Sequence, residues 1–322
     1  MDLLKYKPQK PFSQKHLLNL QGYSKDEILT MLSLALRLKA ESKAGIPHPL
    51  LAGKTLAMIF AKASLRTRVS FEVGMVQLGG HAMMIDYREV QLGKREPIPD
   101  AARVLSRYVD GIMIRTFDQA DAESLTEHGS VPVINGLTDL HHPCQVLADI
   151  LTLYEYKKQA EGLKLAFVGD GHNMAHSLME ICSKLGIDVA IACPDGYRPN
   201  ADIAAACVKN GDANGSKVVV TNDPIVAVSG ADAVYTDVWT SMGQEAESAK
   251  RLVDFKPYMV DEALFMKAKP DAIFLHCLPA HRGEEVTAGV IDGPRSAVFD
   301  EAENRLHAQK AVLALLMGGT AH

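Results

Sequence analysis

The chain has one tryptophan, only 6% aromatic residues and five cysteines in 322 positions. No apolar run approaches the roughly 18 residues that a membrane helix needs, which argues against a membrane-spanning class. The opening stretch, MDLLKYKPQKPFSQKHLLNL, lacks both an apolar signal core and an Arg-rich transit pattern. The cysteines (Cys144, Cys182, Cys193, Cys207, Cys277) are odd in number, widely spaced and without a CxxC pair. That pattern excludes a disulfide scaffold and suits free thiols in a reducing compartment, so a cytoplasmic protein is expected. Low-complexity tracts, short repeats and blocks of like charge are also missing. A formal charge of −5 gives no electrostatic footprint for non-specific nucleic-acid binding, although a local basic pocket is compatible with it.

What is present is ordinary globular composition, 47% hydrophobic and 23% charged, at a length that suits about two domains. Ser24 with Glu27 reads as a capping box opening a helix to about Lys43. The stretch 54–80, KTLAMIFAKASLRTRVSFEVGMVQLGG, reads as a buried strand, a polar loop and a helix capped by Ser64. Val69, Val73, Val76 and Leu78 stand near helical spacing along that helix. A strand at 81–87, a polar loop at 88–99, a helix capped by Asp100 and a strand ending at Arg115 follow. Next come a helix at 121–128, a strand at VPVINGL and a long helix from Pro143 to about 158. A second series begins with LKLAFVGDGHN, continues through DVAIACP, KVVVTN, AVYTDVW and AIFLHCLP, and closes with a helix at 302–317. Such βα alternation predicts an α/β fold with two doubly wound parallel-sheet domains joined by helices. Ligands in these sheets bind at the carboxyl ends of strands, so the active site is expected in the cleft between the domains.

Arg66 and Arg68 stand in the first turn of a helix, where the dipole disfavours cations. They make sense if an anion, most simply a phosphate, takes the free N–H groups, the Ser64 and Thr67 hydroxyls and the guanidiniums together. The alternative is a solvated first turn whose arginines pair with Glu72 or more distant carboxylates. Arg115 and His142 follow strands and could join the anion loop, where such donors polarise a carbonyl. His141, His142, Cys144, His276 and Cys277 are metal-ligand types, but their spacing matches no zinc signature. FVGDGHN offers two glycines of a dinucleotide fingerprint, with Met174 at the third position, and a tight turn explains it equally.

Several segments resemble ornithine carbamoyltransferase: SLRTR at 64–68, FEVGMVQLGG at 71–80, NGLTDLHHPCQVLAD at 135–149, DVWTSMG at 237–243, HCLPAHRGEEVT at 276–287 and FDEAENRLHAQKA at 299–311. They stand in family order and span essentially the whole chain. The resemblance implies a carbamoyl-phosphate-binding domain at 1–148, joined by the C-terminal helix 303–322, and an ornithine-binding domain at 149–302. It also implies a homotrimer, or a multiple of trimers, with carbamoyl phosphate and L-ornithine as small-molecule partners and neither nucleic acid nor membrane.

By position, the resemblance assigns the phosphate to Ser64, Leu65, Arg66 and Thr67 with Arg115, and brings Gln91 to the phosphate of a neighbouring subunit. Thr67, Arg115 and His142 would hold the carbamoyl oxygen, Gln145 its amino group, and Arg305 would border it. Asn173, Asp237, Ser241 and Met242 would grip the α-amino and α-carboxylate groups of ornithine, and Cys277 with the Leu278 carbonyl would meet the δ-amine. Arg115, His142, Asp237, Cys277 and Arg305 are thus the expected catalytic set. No cofactor or metal has a task in the implied reaction. The chain departs from the family at Leu65, where Thr is usual, and at His172, where Asn is common. The Leu65 departure keeps open a transcarbamylase for N-acylated ornithine, against which the SMG of 241–243 stands. A non-catalytic binding homologue is the rival from another class.

Overall fold

The computed structural model describes residues 2–159, 161–241 and 243–318. The chain divides into two units, one made of Asp2–Ala148 with the chain from Asn304 onward, the other of Asp149–Glu303. The predicted elements are present almost throughout. In the first unit, α1 (Lys25–Lys43) begins with the Ser24–Glu27 capping box, β1 (Thr55–Phe60) leads into α2 (Leu65–Gln77), and β2 (His81–Asp86) follows. Two helices, α3 (Tyr87–Val90) and α4 (Ile98–Leu105), precede β3 (Gly111–Arg115), α5 (Gln119–His128), β4 (Val133–Leu137) and the start of α6 (Pro143–Lys157).

The second unit takes up the end of α6 and continues with β5 (Lys164–Val168), α7 (Asn173–Leu185), β6 (Asp188–Ala192), α8 (Ala201–Asn214) and β7 (Val218–Thr221). After α9 (Pro224–Val228) comes β8 (Ala233–Thr236), then α10 (Ser248–Asp254), α11 (Glu262–Phe265), β9 (Ile273–His276) and α12 (Ala288–Ile291). The last helix, α13 (Val298–Met317), starts in this unit and returns the chain to the first.

Both sheets are parallel, in the orders β2-β1-β3-β4 and β7-β6-β5-β8-β9. Leu17 extends the first sheet, pairing with the outer edge of β4 through Leu17 N to Val133 O at 2.9 Å and Asn135 N to Leu17 O at 2.7 Å. Parallel strands covered by helices are buried on both faces, which explains the apolar runs of every strand except the partly exposed edge strands β2 and β7. Each sheet reverses its winding once, between β1 and β3 in the first unit and between β5 and β8 in the second. Those reversal points are where ligands settle in open α/β sheets.

Three local expectations are corrected. The helix at 98–105 starts from Pro97, with Asp100 inside its first turn and no side-chain cap, because Pro already fixes the φ that the start requires. The polar loop at 88–99 holds helix α3, capped by Asp86. On α2 the packed positions are Phe71, Gly74 and Met75, with Leu78 following; Val69, Val73 and Val76 face outward, Val76 with 66% exposure. Two apolar stripes share that helix, and only one meets the core. Among the described residues, no helix is long and apolar enough to cross a membrane.

Candidate active site

The first reversal point carries the SLRTR loop. Ser64 is extended and its Oγ accepts the Thr67 N–H at 3.2 Å, so the helix start is capped as its sequence predicts. The two arginines behave differently. Arg68 lies 3.7 Å from Glu72 one turn on, both half exposed, which is the solvated pairing. Arg66 contributes its charge to the neighbourhood of His142, together with Arg115 and Arg305. Leu65 stands at 75% exposure, so its side chain is not part of the packed cluster.

Thr67 is the hub. Its Oγ1 accepts Arg305 Nη2 at 3.0 Å and Arg115 Nη1 at 3.5 Å, while Arg305 Nη1 donates to Gln145 Oε1 at 2.8 Å. With both guanidiniums donating to it, the Thr67 hydroxyl keeps its own proton for a ligand oxygen. Thr67, Arg115, His142, Gln145 and Arg305 are all buried. Burial, and then the charges of Arg305, Arg115 and Arg66, hold the His142 pKa well below the usual histidine range. The imidazole is therefore neutral near pH 7, with one ring N–H to donate. Such a group of guanidiniums, hydroxyl and neutral imidazole can hold a phosphate and polarise an attached carbonyl.

One residue here escaped sequence reasoning. Lys62, two positions before the cap, has a buried ammonium that pairs with Asp139 and sits 4.1 Å above the Phe117 ring. It ties the anion loop to the segments after β3 and β4, and a lone lysine in a polar loop gives no sequence signal for that. Gln91 adopts φ +49 at the end of α3 and its side chain is exposed; the contacts described for the Thr67 cluster do not include it.

The second reversal point gathers a different chemistry. Gly169 has φ +152 and a Cβ on Gly171 would lie 2.4 Å from Tyr197 O, so both glycines serve a tight turn against the backbone that follows β6. Asn173 opens α7, its Oδ1 accepting Met174 N–H at 2.8 Å. Beyond β8, Asp237 Oδ1 accepts the Cys277 thiol at 3.0 Å and Val238 N–H at 2.8 Å. Burial and then Asp237, Glu301 and Asp149 push the Cys277 pKa well above the usual thiol range, so Cys277 stays protonated and is a donor. Burial likewise raises Asp237, which makes it a better proton acceptor than an ordinary carboxylate.

Residues behind Cys277 hold it in place; the sequence marks His276 only as a metal-ligand type, and Tyr235, Glu285 and Glu301 were missed. His276 Nδ1 accepts Leu278 N–H at 2.8 Å, which assigns the proton to Nε2 and makes that nitrogen the donor to Glu285 Oε1 at 3.1 Å. The His276 N–H donates to Glu301 Oε2 at 2.9 Å, and Tyr235 OH to Glu301 Oε1 at 3.1 Å. Leu278, at φ +57, is kept in the left-handed region by this frame. Only its Glu-rich motif hinted at Glu285; Glu301 lies on a helix whose amphipathic pattern hides it.

Ser241 N–H donates to Gln244 Oε1 at 3.1 Å, and Gly243 N–H to the Glu245 carboxylate at 3.0 Å. Met242 lies outside the described residues. Arg251 is buried and reaches back from α10, donating to Trp239 O at 2.6 Å, pairing with Asp170 and stacking near Tyr197 and Phe255. It connects the Gly169–Gly171 turn to the segment that carries Ser241.

Comparison with known proteins gives these two sites a family. The family description "aspartate/ornithine carbamoyltransferase, carbamoyl-P binding domain" matches residues 15–155, and the Asp/Orn binding domain of the same family matches residues 161–316. An ornithine carbamoyltransferase of Geobacillus stearothermophilus is 59% identical over 299 residues, 93% of this chain and 96% of the relative. The anabolic ornithine carbamoyltransferase of Pyrococcus furiosus is 55% identical over 305 residues, 95% of this chain and 97% of its own. A solved ornithine carbamoyltransferase from Pyrococcus furiosus superposes with a TM-score of 0.93 at 54% identity, covering 96% of this chain and 99% of that one. The anabolic enzyme from Campylobacter jejuni gives 0.89 at 39% identity, covering 94% and 99%. With both halves matched and identities this high over nearly the full length, the chain belongs to the aspartate/ornithine carbamoyltransferase family.

Proposed function

We propose that the protein transfers the carbamoyl group of carbamoyl phosphate to the δ-amine of L-ornithine, releasing L-citrulline and phosphate. The observation that carries ornithine over aspartate is the negative charge at the carboxyl ends of β8 and β9. Asp237 and Glu301 both raise the Cys277 pKa there, and an acidic surround suits a cationic diamine and repels a dicarboxylate.

In this reading Ser64, Leu65, Arg66 and Thr67 hold the phosphate through N–H groups, hydroxyls and guanidinium. Arg115, the Thr67 hydroxyl and neutral His142 donate to the carbamoyl oxygen, which becomes an oxyanion on attack. Gln145, oriented by Arg305, accepts from the carbamoyl amino group. Asn173, Asp237, Ser241 and Met242 take the α-substituents of ornithine. The δ-amine is neutral in only about one free molecule in a thousand near pH 7, so binding must generate the free base. The Leu278 carbonyl provides an acceptor for the amine, beside Cys277, whose thiol is held by Asp237. The departing phosphate takes the remaining amine proton, and no step calls for a cofactor or metal.

An assembly of three copies fits the outward stripe of Leu65, Val69, Val73 and Val76 on α2 beside Met83 and Met84 on the edge strand β2, all exposed in the single chain. Gln91 would then reach a neighbouring copy's phosphate. The five cysteines are free, as suits the cytoplasm. The anabolic relatives favour the biosynthetic direction. The test is a citrulline assay comparing ornithine with N-acetyl- and N-succinylornithine. Turnover with free ornithine is expected; turnover only with an acylated amine, or with none of the three, would overturn the proposal. Arg66→Ala should cripple carbamoyl-phosphate binding in the same assay.

A further inference from the structure

The turn after the HCLP segment brings together three metal-ligating groups that the transfer reaction does not use as ligands. Gly283, at φ +93, donates to Val286 O at 2.8 Å, and Glu284 N–H donates to His281 O at 2.9 Å, which folds residues 281–286 back on themselves. His281 Nδ1 then lies 4.0 Å from Glu284 Oε2 and 3.6 Å from Glu285 Oε2, all three atoms falling within 4.8 Å of one another.

Glu285 supplies an independent observation. It is fully buried, and its Oε1 accepts from His276 Nε2 at 3.1 Å and His281 N at 2.6 Å. Its Oε2 is buried with no hydrogen-bond partner and is directed at the His281 ring. A carboxylate oxygen shut away from water without a donor is costly, and a cation is what such an atom accepts.

We propose that His281, Glu284 and Glu285 form a site for a divalent first-row transition ion of the Zn2+ type. Two ligands of a tetrahedral zinc with bonds of about 2.1 Å are separated by about 3.4 Å, close to the spacing found here. One imidazole with two carboxylates favours zinc, cobalt or nickel over magnesium or calcium, which prefer oxygen alone. The side chains of His281 and Glu284 are 51% and 45% exposed, so the ion enters from solvent and keeps water in its remaining positions. A ligating imidazole must be unprotonated, so affinity falls on acidification. The site is linked to the HCLP turn through the Glu285 carboxylate, whose other oxygen orients His276 and through it Leu278. Binding itself does not depend on the proposed reaction.

A second ligand group, Asp237, His276 and Cys277, offers a thiol and is the rival location. The test is calorimetric titration of the full chain with Zn2+ near neutral pH, repeated with Co2+ and read by visible absorption. The variants are His281→Ala, Glu284→Gln and Cys277→Ser, with circular dichroism to verify folding. Expected is one bound equivalent that Cys277→Ser retains, that His281→Ala weakens by at least about tenfold and that Glu284→Gln weakens less. The cobalt spectrum should lack a thiolate charge-transfer band. No binding, binding unchanged in His281→Ala, or binding that also disappears in Cys277→Ser would each overturn the proposal.

Discussion

Arg305 Nη2 donates to Thr67 Oγ1 at 3.0 Å, joining two residues 238 positions apart. One hydroxyl thereby sets the place of a guanidinium that also fixes Gln145. The fork matters as much as the charge, since a lysine is a single point on a flexible stem. Arg305→Lys is expected to lower kcat by about 100-fold, the scale of one lost preorganised donor, while circular dichroism stays unchanged. Steady-state citrulline production measures it.

His142 is held neutral by burial and three arginines. Its folded pKa lies below the unfolded value of about 6.5, so the folded state binds fewer protons and stability is lost as pH falls below about 6.5. Urea unfolding of the wild type should weaken through that window more steeply than that of His142→Asn. The asparagine keeps one donor, so its kcat should stay above that of His142→Ala.

The Asp170–Arg251 pair gives a second pH signature, of opposite sign. Burial raises Asp170 to about 6, above its unfolded value, despite the pull of Arg251. Its contribution to stability is therefore full below the unfolded pKa of about 3.9 and is lost as pH rises towards 6. Asp170→Asn should remove that slope from the difference in unfolding midpoint between the two proteins. It should also raise the KM for ornithine without changing carbamoyl-phosphate affinity, because the pair holds the segment leading to Ser241.

Gly171→Ala distinguishes a packing glycine from a nucleotide-binding one. The added methyl would meet Tyr197 O at 2.4 Å and Pro199 N at 2.5 Å, both backbone atoms. A loss of about 1–3 kcal/mol in unfolding free energy is expected, as for other overpacked buried sites, measured by denaturant titration.

The parts legible in the sequence are those decided locally. Ser24 and Glu27 bond each other's backbone within one turn, so four residues suffice to announce the helix. The βα alternation was equally readable, because buried parallel strands need uninterrupted apolar runs. The outward face of α2 was not, since the stripe of Val69, Val73 and Val76 and that of Phe71, Met75 and Leu78 both have helical spacing and differ only in what lies above them. Glu285 and Glu301 were hidden for a related reason. Their work is done 9 and 25 positions from His276, and an acidic residue carries no mark of the histidine it will orient. Arg66 and Arg68, either side of Thr67, read alike in the sequence, whereas Arg68 faces Glu72 and the charge of Arg66 is felt at His142.

The Leu17 segment bonds along β4 and closes that edge of the first sheet. An open parallel edge is a template on which other chains can pair. Removing the segment would uncover Val133 O and Asn135 N–H and give the sheet a second unguarded edge beside that of β2. A shortened protein could then pair strand to strand at both edges of this sheet and aggregate. The Leu17 segment thus acts as a stopper on strand-to-strand growth at that edge.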